Sequence, residues 1–238
     1  MIFTLGCFKM WSMTKPNIFL IESKTRQVLA ETFLRFQEYF ESPEFKGRVF
    51  TVDEFAQWYV SKYGAWTYSK DWYGFNIPAK VLEPFRSGRF DPLTPAEQKL
   101  LEICPPAQIG NNASRDFYVI GVTSGAEYFK ETLRHEFVHG AFHVNGDYRK
   151  DVIKCLDSHK IKTINNALSK MGYHNDVHSD EANAYVLVEP ETISEYVTKR
   201  DTQKLRTRLD SIFRKHFGFS VLETNSMELM RQAEHVQI

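Results

Sequence analysis

His135-Glu136-Phe137-Val138-His139 is the stretch of this sequence that says most about the fold and the chemistry of the protein. On a helix, residues i and i+4 share one face a turn apart, so the two imidazoles can converge on one metal ion. Zinc requires such convergence, because its bonds to histidine nitrogen are about 2.0–2.1 Å long. Glu136 is offset around the helix, and is therefore placed to hold a metal-bound water and take its proton.

The residues around this motif predict that it is helical. Ser124 and Glu127 stand at the spacing of a capping box, and an apolar stripe recurs every three to four residues. The stripe consists of Phe129, Leu133, Phe137, Ala141 and Val144. We therefore expect an amphipathic helix from about residue 125 to 143, packed on a core. A surface helix with two solvated histidines is the alternative, and the large apolar side chains within the motif argue against it.

A strand is predicted immediately before this helix. Residues 116–122 are rich in β-branched and aromatic side chains, and Thr123-Ser124-Gly125 ends the run with turn-forming residues.

A zinc site with three protein ligands needs one more donor, which leaves a fourth position for water. Glu181 is the preferred candidate, because residues 179–187 read as the start of a second helix whose dipole favours a carboxylate in its first turn. The small Ala182 and Ala184 would let that helix approach another closely. Asp180 is the nearest competitor, and an ordinary helix-start carboxylate is the alternative for Glu181.

Three other histidines compete for a role. His143 continues the series of His135 and His139, but at 1.5 Å per residue it lies about 12 Å along the helix from His135. We expect it to orient the site or simply to pack. His174 and His178 are also four residues apart, in a stretch that reads as a loop or helix start. They could orient the ligands, or be exposed loop histidines.

The strand, the HEFVH helix and the later DEANAY segment together resemble the zincin superfamily of metallopeptidases, in the gluzincin arrangement that has a glutamate third ligand. The resemblance covers about residues 115–190. It implies His135 and His139 as zinc ligands and Glu136 as general base, while Glu181 follows from a looser pattern. Small bacterial proteins that carry HExxH and a later DExxAY are similar.

The resemblance also implies an α+β fold, predominantly helical, with a small sheet whose edge strand precedes the HExxH helix. By analogy, such a strand lies along the cleft and pairs with extended substrate. The chain lacks the third-histidine extension of metzincins and the NExxxD signature of thermolysin-like enzymes. Substrate class is therefore not implied.

Length and composition allow one domain or two small ones. The chain has 238 residues, of which 42% are hydrophobic and 14% aromatic, so a sizeable core is possible. We expect a mainly helical, aromatic-rich region over residues 1–110, packed on a catalytic region over residues 111–238. Residues 66–90 are predicted to be irregular, forming either a small core or an aromatic wall of a substrate cleft. Residues 147–168, 190–200 and 205–217 are predicted helices.

Charge and cysteine content indicate which partners and which cellular location to expect for this protein. Thirty basic residues balance thirty acidic ones, so no surface field favours nucleic acid or anionic membrane. No stretch reaches the ~20 apolar residues of a membrane span. Cys7, Cys104 and Cys155 are odd in number and widely spaced, which fits reduced thiols in a cytoplasmic protein. No signal peptide is evident, which leaves the cytoplasm or secretion by a signal-independent route.

The chemistry expected from these residues is zinc-assisted hydrolysis of a peptide bond in a protein or peptide substrate. Tyr148 and Tyr185 are phenols near the motif elements, and either could donate a hydrogen bond to the oxyanion, although buried structural roles are favoured. Two alternatives remain at this stage. One is a non-catalytic zincin-fold binding or regulatory protein, and the other is a metal hydrolase of a non-peptide amide.

Overall fold

The computed structural model describes residues 17–106, 116–159 and 161–238. The fold is α+β and 59% helical, with one small mixed sheet, as the sequence predicts at this coarse level. The strands are β1 (Ile18–Ser23), β2 (Gly74–Pro78), β3 (Tyr118–Thr123) and β4 (Glu234–Gln237). The helices are α1 (Arg26–Glu41), α2 (Val52–Tyr63), α3 (Tyr68–Asp71), α4 (Glu83–Arg86), α5 (Pro95–Ile103), α6 (Phe129–Val144), α7 (Gly146–Ser158), α8 (Lys162–Lys170), α9 (His178–Val188), α10 (Lys199–Phe217) and α11 (Ser226–Met230). Cys7, the segment considered for a signal peptide and the predicted boundary near residue 110 lie outside the described residues.

The sheet has the strand order β2-β3-β1-β4, with β1 parallel to β3 and β4, and β2 antiparallel to β3. The prediction that the strand before the HExxH helix is an edge strand is wrong, because β3 lies inside the sheet. The edge beside it is β2, which comes from the segment predicted to be irregular. In its register with β3, Gly74 lies opposite Val122 and Pro78 lies opposite Tyr118. This pairing joins distant parts of the chain, and local sequence patterns do not reveal it.

The sheet separates two hydrophobic cores. Alternate residues of β1 and β3, such as Leu20 and Ile120, face the core formed with α6, α7, α9 and α10. Ile21 and Val119 face the opposite core, which α1 and the aromatic-rich region fill. The alternation follows from the two-residue period of strand side chains, and it covers both faces of the central strands.

On the aromatic-rich side, α1 is tied to α5 by a buried ion pair. The Arg35 Nε donates to Glu97 Oε1 over 2.6 Å, and Nη1 of Arg35 donates to the Phe90 carbonyl over 3.0 Å. Thr94 and Glu97 form the capping box that begins α5. Through these bonds the buried Arg35 fixes the end of the segment 66–90, which was predicted to be irregular, against α1.

The motif helix α6 begins at Phe129, about four residues later than predicted. The predicted capping box is not formed, because the Ser124 hydroxyl donates to the Ser23 carbonyl across the β1–β3 end and Tyr128 precedes the helix instead. Further along, α6 lies close to the sheet at Gly140. A Cβ built there would be 2.7 Å from Ile18 Cδ1, so any larger residue requires the buried Ile18 side chain to shift.

Two predicted helices after the motif differ from the structure. Residues 147–168 are not one helix, because α7 ends at Ser158 and α8 begins at Lys162. Residues 190–197 form turns rather than helix, and α10 then runs from Lys199 to Phe217. No helix in the described part of the chain is long and apolar enough to cross a membrane.

The close approach at Gly140 predicts that Gly140→Ala lowers the free energy of unfolding by about 1–3 kcal/mol, the usual effect of overpacking a filled core. Gly146→Ala, at the start of α7, is the matched control, because its added methyl meets only Arg149 Nη2 at 3.6 Å. Urea denaturation of both variants measures the difference. Equal stabilities would show that the α6–sheet contact is not tight.

Candidate metal centre

The crossing of α6 and α9 brings three predicted residues together. His135 and His139 lie one turn apart on α6, and Glu181 lies in the first turn of α9. One potential ligand atom from each residue falls within 4.8 Å of the others. The buried Ala182 and Ala184 contribute no bulk to the helix pair, so α9 can pack closely.

The nitrogens that face Glu181 are the Nε2 atoms of both histidines. His139 Nε2 lies 3.8 Å from Glu181 Oε1, and His135 Nε2 lies 3.9 Å from Glu181 Oε2. Tetrahedral zinc with bonds of about 2.0–2.1 Å requires ligand atoms roughly 3.3–3.4 Å apart. The two imidazole–carboxylate distances therefore exceed the zinc-bound spacing by about half an ångström, and the widest spacing in the cluster, up to 4.8 Å, exceeds it by about 1.4 Å.

The opposite nitrogen of each imidazole faces a different carboxylate. His139 Nδ1 lies 3.0 Å from Asp180 Oδ1, and His135 Nδ1 lies 3.6 Å from Glu189 Oε1. Histidines that bind metals commonly present their second nitrogen to a carboxylate, which fixes the ring and its tautomer. Asp180, the competitor for third ligand, is thus on the far side of the His139 ring from Glu181.

Glu189 was not predicted. It is the C-cap residue of α9, eight positions after Glu181. That spacing along one helix is the only local feature of the sequence that could have linked Glu189 to the site.

Burial and mutual charge shift the pKa values of all three groups of the cluster. Burial raises the pKa of Glu181 to about 8, an effect that Asp180 reinforces and His139 opposes. Burial lowers the pKa of His135. Burial also acts to lower the pKa of His139, but the charges of Asp180 and Glu181 outweigh it and raise that pKa well above its usual value. Glu181 Oε2 has no hydrogen-bond partner, so a cation bound beside it would satisfy a buried group that is otherwise unpaired. The Nδ1 atoms of both histidines also lack hydrogen-bond geometry, although each has a carboxylate nearby.

Glu136 belongs to a separate network. Its Oε2 accepts a hydrogen bond from Asn76 Nδ2 at 2.8 Å, and Asn76 Oδ1 accepts one from the Tyr118 hydroxyl at 2.6 Å. Because the phenol donates to Oδ1, the NH₂ group of Asn76 must face the carboxylate. Burial raises the pKa of Glu136 to about 7, while His139 and the Asn76 hydrogen bond act to lower it.

The edge strand β2 approaches Glu136 closely. At Gly74, an added Cβ would collide with Glu136 Oε1 and with Thr132 of the same helix. The Asn76 backbone N–H donates to Gln37 Oε1 of α1 at 3.3 Å, which fixes the strand from its outer side. Asn76 and Gly74 lie in the segment predicted to be irregular, so the sequence gives no local signal for either role.

Two tyrosines flank the cluster. The Tyr185 ring packs edge-on against His135 with centroids 4.8 Å apart, and its hydroxyl lies 2.8 Å from the Tyr173 hydroxyl. Tyr185 was a predicted candidate, whereas Tyr173 was not. Tyr173 stands in a turn before α9, and only the fold brings it to the site.

The remaining candidates lie elsewhere. Tyr148 is fully buried and bonds to Asn183, with its hydroxyl 3.1 Å from Asn183 Nδ2, which is the structural role favoured from sequence. His143 lies 3.2 Å from Asp116 Oδ2 and packs on the Tyr118 ring. His178 is buried, with Nε2 3.2 Å from the Tyr173 carbonyl oxygen, and His174 is exposed beside Asp176. None of the three belongs to the group of His135, His139 and Glu181.

No protein-family model matches this chain, and no curated protein or solved structure matches it either.

The geometry of the cluster predicts that Zn²⁺ stabilises the protein. At a free zinc concentration 100 times the Kd, binding contributes about 2.7 kcal/mol and raises the melting temperature of a domain this size by about 5–10 °C. Untagged, chelator-treated protein should show this shift in a thermal melt, and His139→Ala should lose it. His143→Ala, on the same helix and outside the cluster, is the control. An equal shift in both variants would place the zinc elsewhere.

Proposed function

We propose that this protein is a zinc-dependent hydrolase that cleaves peptide bonds, with a zincin-like arrangement of the HExxH helix. The observation that carries the proposal is that the histidine nitrogens and Glu136 face different partners. Both Nε2 atoms converge on Glu181, both Nδ1 atoms face other carboxylates, and Glu136 stands outside this set with its own partner. An accidental pair of helical histidines would have no need of these partners.

The donor set supports zinc as the metal. Two imidazole nitrogens and one carboxylate form a set typical of catalytic zinc, in which three protein ligands leave a position for water or substrate. No cysteine belongs to the cluster found among the described residues. Zn²⁺ held by His135, His139 and Glu181 would polarise the scissile carbonyl and make water acidic enough to react near neutral pH.

Glu136 is the general base in this proposal. Asn76 holds one carboxylate oxygen, Oε2, and in this proposal the other, Oε1, which lies against Gly74, takes a proton from the attacking water. The same carboxyl then returns the proton to the leaving amine. Tyr185 or Tyr173 can donate a hydrogen bond to the oxyanion, because their paired hydroxyls lie beside His135.

The position of β2 supports a polypeptide as substrate. On its outer side β2 pairs with no other strand of the described chain, and it runs beside the proposed base. The Asn76 N–H on this side already donates to Gln37 Oε1, so an extended peptide would bind the other backbone groups of the edge. By analogy with zincins, an edge strand lies along the cleft and pairs with extended substrate. In this proposal β2 has that role, and β3 does not.

Glu136→Gln should retain zinc and the native fold while kcat falls by about 10²–10⁴, because the amide cannot accept the proton. Hydrolysis of a quenched fluorescent peptide library measures activity, and plasma mass spectrometry measures zinc. Glu131→Gln makes the same change at an exposed position on the same helix and should keep full activity. Loss of zinc from Glu136→Gln would identify Glu136 as a ligand and contradict its role as base.

Asn76 should act on catalysis by positioning Glu136. Asn76→Ala is expected to lower kcat about 10- to 150-fold, with KM and zinc affinity unchanged, because the hydrogen bond to a charged group contributes about 1.5–3 kcal/mol. Tyr118→Phe should have a smaller effect of the same kind. Because Tyr118 acts through Asn76, the double variant should be no slower than Asn76→Ala alone. Losses that multiply would show that the two residues act independently.

A further inference from the structure

An open groove lies between α1, α2 and the start of α5, away from the metal centre. It encloses about 570 Å³, which is within the usual range for ligand sites. None of the residues of the metal centre lines it. Its walls are mostly apolar, and include Ala30, Leu34, Ala56, Trp66, Tyr68 and Pro95. A groove of this size and character accepts a bulky aliphatic or aromatic group.

Chain continuity connects this groove to the proposed site. Ser69 lines the groove, and Gly74, five residues later, touches Glu136. Five residues span at most about 18 Å, and Ser69 to Asp71 are helical, so the near end of the groove lies within that distance of the Gly74 backbone. An extended peptide at about 3.3 Å per residue covers a gap of this upper limit with five or six residues.

The surface between the two sites is aromatic and fixed in place. Trp72, Tyr73 and Tyr128 are exposed large side chains, and the rings of Tyr73 and Tyr128 pack edge to face at 5.4 Å. Arg26 holds this segment, since its Nε donates to the Trp72 carbonyl at 3.1 Å and its guanidinium lies 4.1 Å from the Tyr73 ring centre. Exposed aromatic rings on a fixed backbone provide contact area for a polypeptide at low entropic cost.

We propose that the α1–α2 groove binds a bulky apolar side chain of an extended polypeptide substrate, within about six residues of the bond that is cut. The inference rests on the proposed peptidase function. It goes further by making the substrate an unfolded or loop segment of a protein rather than a short peptide. A tetrapeptide spans about 13 Å, which is less than the upper limit of the gap, and is expected to leave the groove empty when it is bound at the metal centre.

Ala56→Arg tests this proposal, because it places a long charged side chain in the groove at a half-buried helical position that tolerates arginine. Val60→Arg is the matched control, on the same helix, exposed, and outside the groove lining. Ser69→Trp is a second, uncharged obstruction, for use if Ala56→Arg does not fold. The first readout is binding of fluorescein-labelled β-casein, an unfolded protein, to each variant in the Glu136→Gln background. The second is kcat/KM for β-casein and for a fluorogenic tetrapeptide with Glu136 intact.

We expect obstruction of the groove to weaken β-casein binding about tenfold or more, as loss of one buried apolar side chain does, while Val60→Arg binds normally. kcat/KM should fall by a similar factor for β-casein and stay unchanged for the tetrapeptide. Groove-dependent binding without hydrolysis by the wild-type protein would support the groove and refute the peptidase assignment. Equal β-casein binding by Ala56→Arg and Val60→Arg, or no binding by the unobstructed protein, would overturn the inference.

Discussion

The crossing of α9 over α6 is the contact on which the candidate site depends. It brings two imidazoles and a carboxylate together, with two further carboxylates behind the rings, in a largely buried place where water stabilises charge less than it does at the surface. Buried charges of this kind are tolerated when they are paired or bind a metal ion. Small residues lie on both helices, because Ala182 and Ala184 of α9 are fully buried and Gly140 lets α6 approach Ile18 of β1.

The opposite wall of the site comes from the other half of the chain. Asn76 and Gly74 of β2 approach Glu136, and the Gln37 side chain of α1 holds β2 in place. Glu136 therefore lies between a helix that presents histidines and an edge strand that fixes its carboxylate. The proposed roles of ligand and base follow from this separation, since Glu181 and Glu136 contact different neighbours although both are buried carboxylates of adjacent helices.

Features encoded by short-range periodicity could be predicted from the sequence. The strand over 116–122, the motif helix and the α9 helix each occur near their predicted positions, because burial on one face imposes a regular spacing on neighbouring residues. Glu181 was identifiable because it lies in the first turn of such a helix. Its partners in the structure were not, with the exception of Asp180.

What could not be predicted depends on contacts between distant residues. Asn76 and Tyr118 are 42 residues apart, and Asn76 and Glu136 are 60 apart, so no local pattern joins them. No local pattern predicts the pairing of β2 with β3 either, and because of this pairing β2 is the edge strand in place of β3. The capping box at Ser124 shows the reverse error, in which a favourable local pattern was overridden because Ser124 bonds to the end of β1 instead.

X-ray absorption spectroscopy at the zinc edge tests the central claim most directly, because it reports the atoms bound to the metal. Protein loaded with one equivalent of Zn²⁺ should show two imidazole ligands and oxygen ligands at about 2.0–2.2 Å, with four- or five-coordinate geometry and no sulfur. The Glu181→Ala variant should keep both imidazoles and lose one protein oxygen. A spectrum with a sulfur ligand at about 2.3 Å, or with fewer than two imidazoles, would contradict the account.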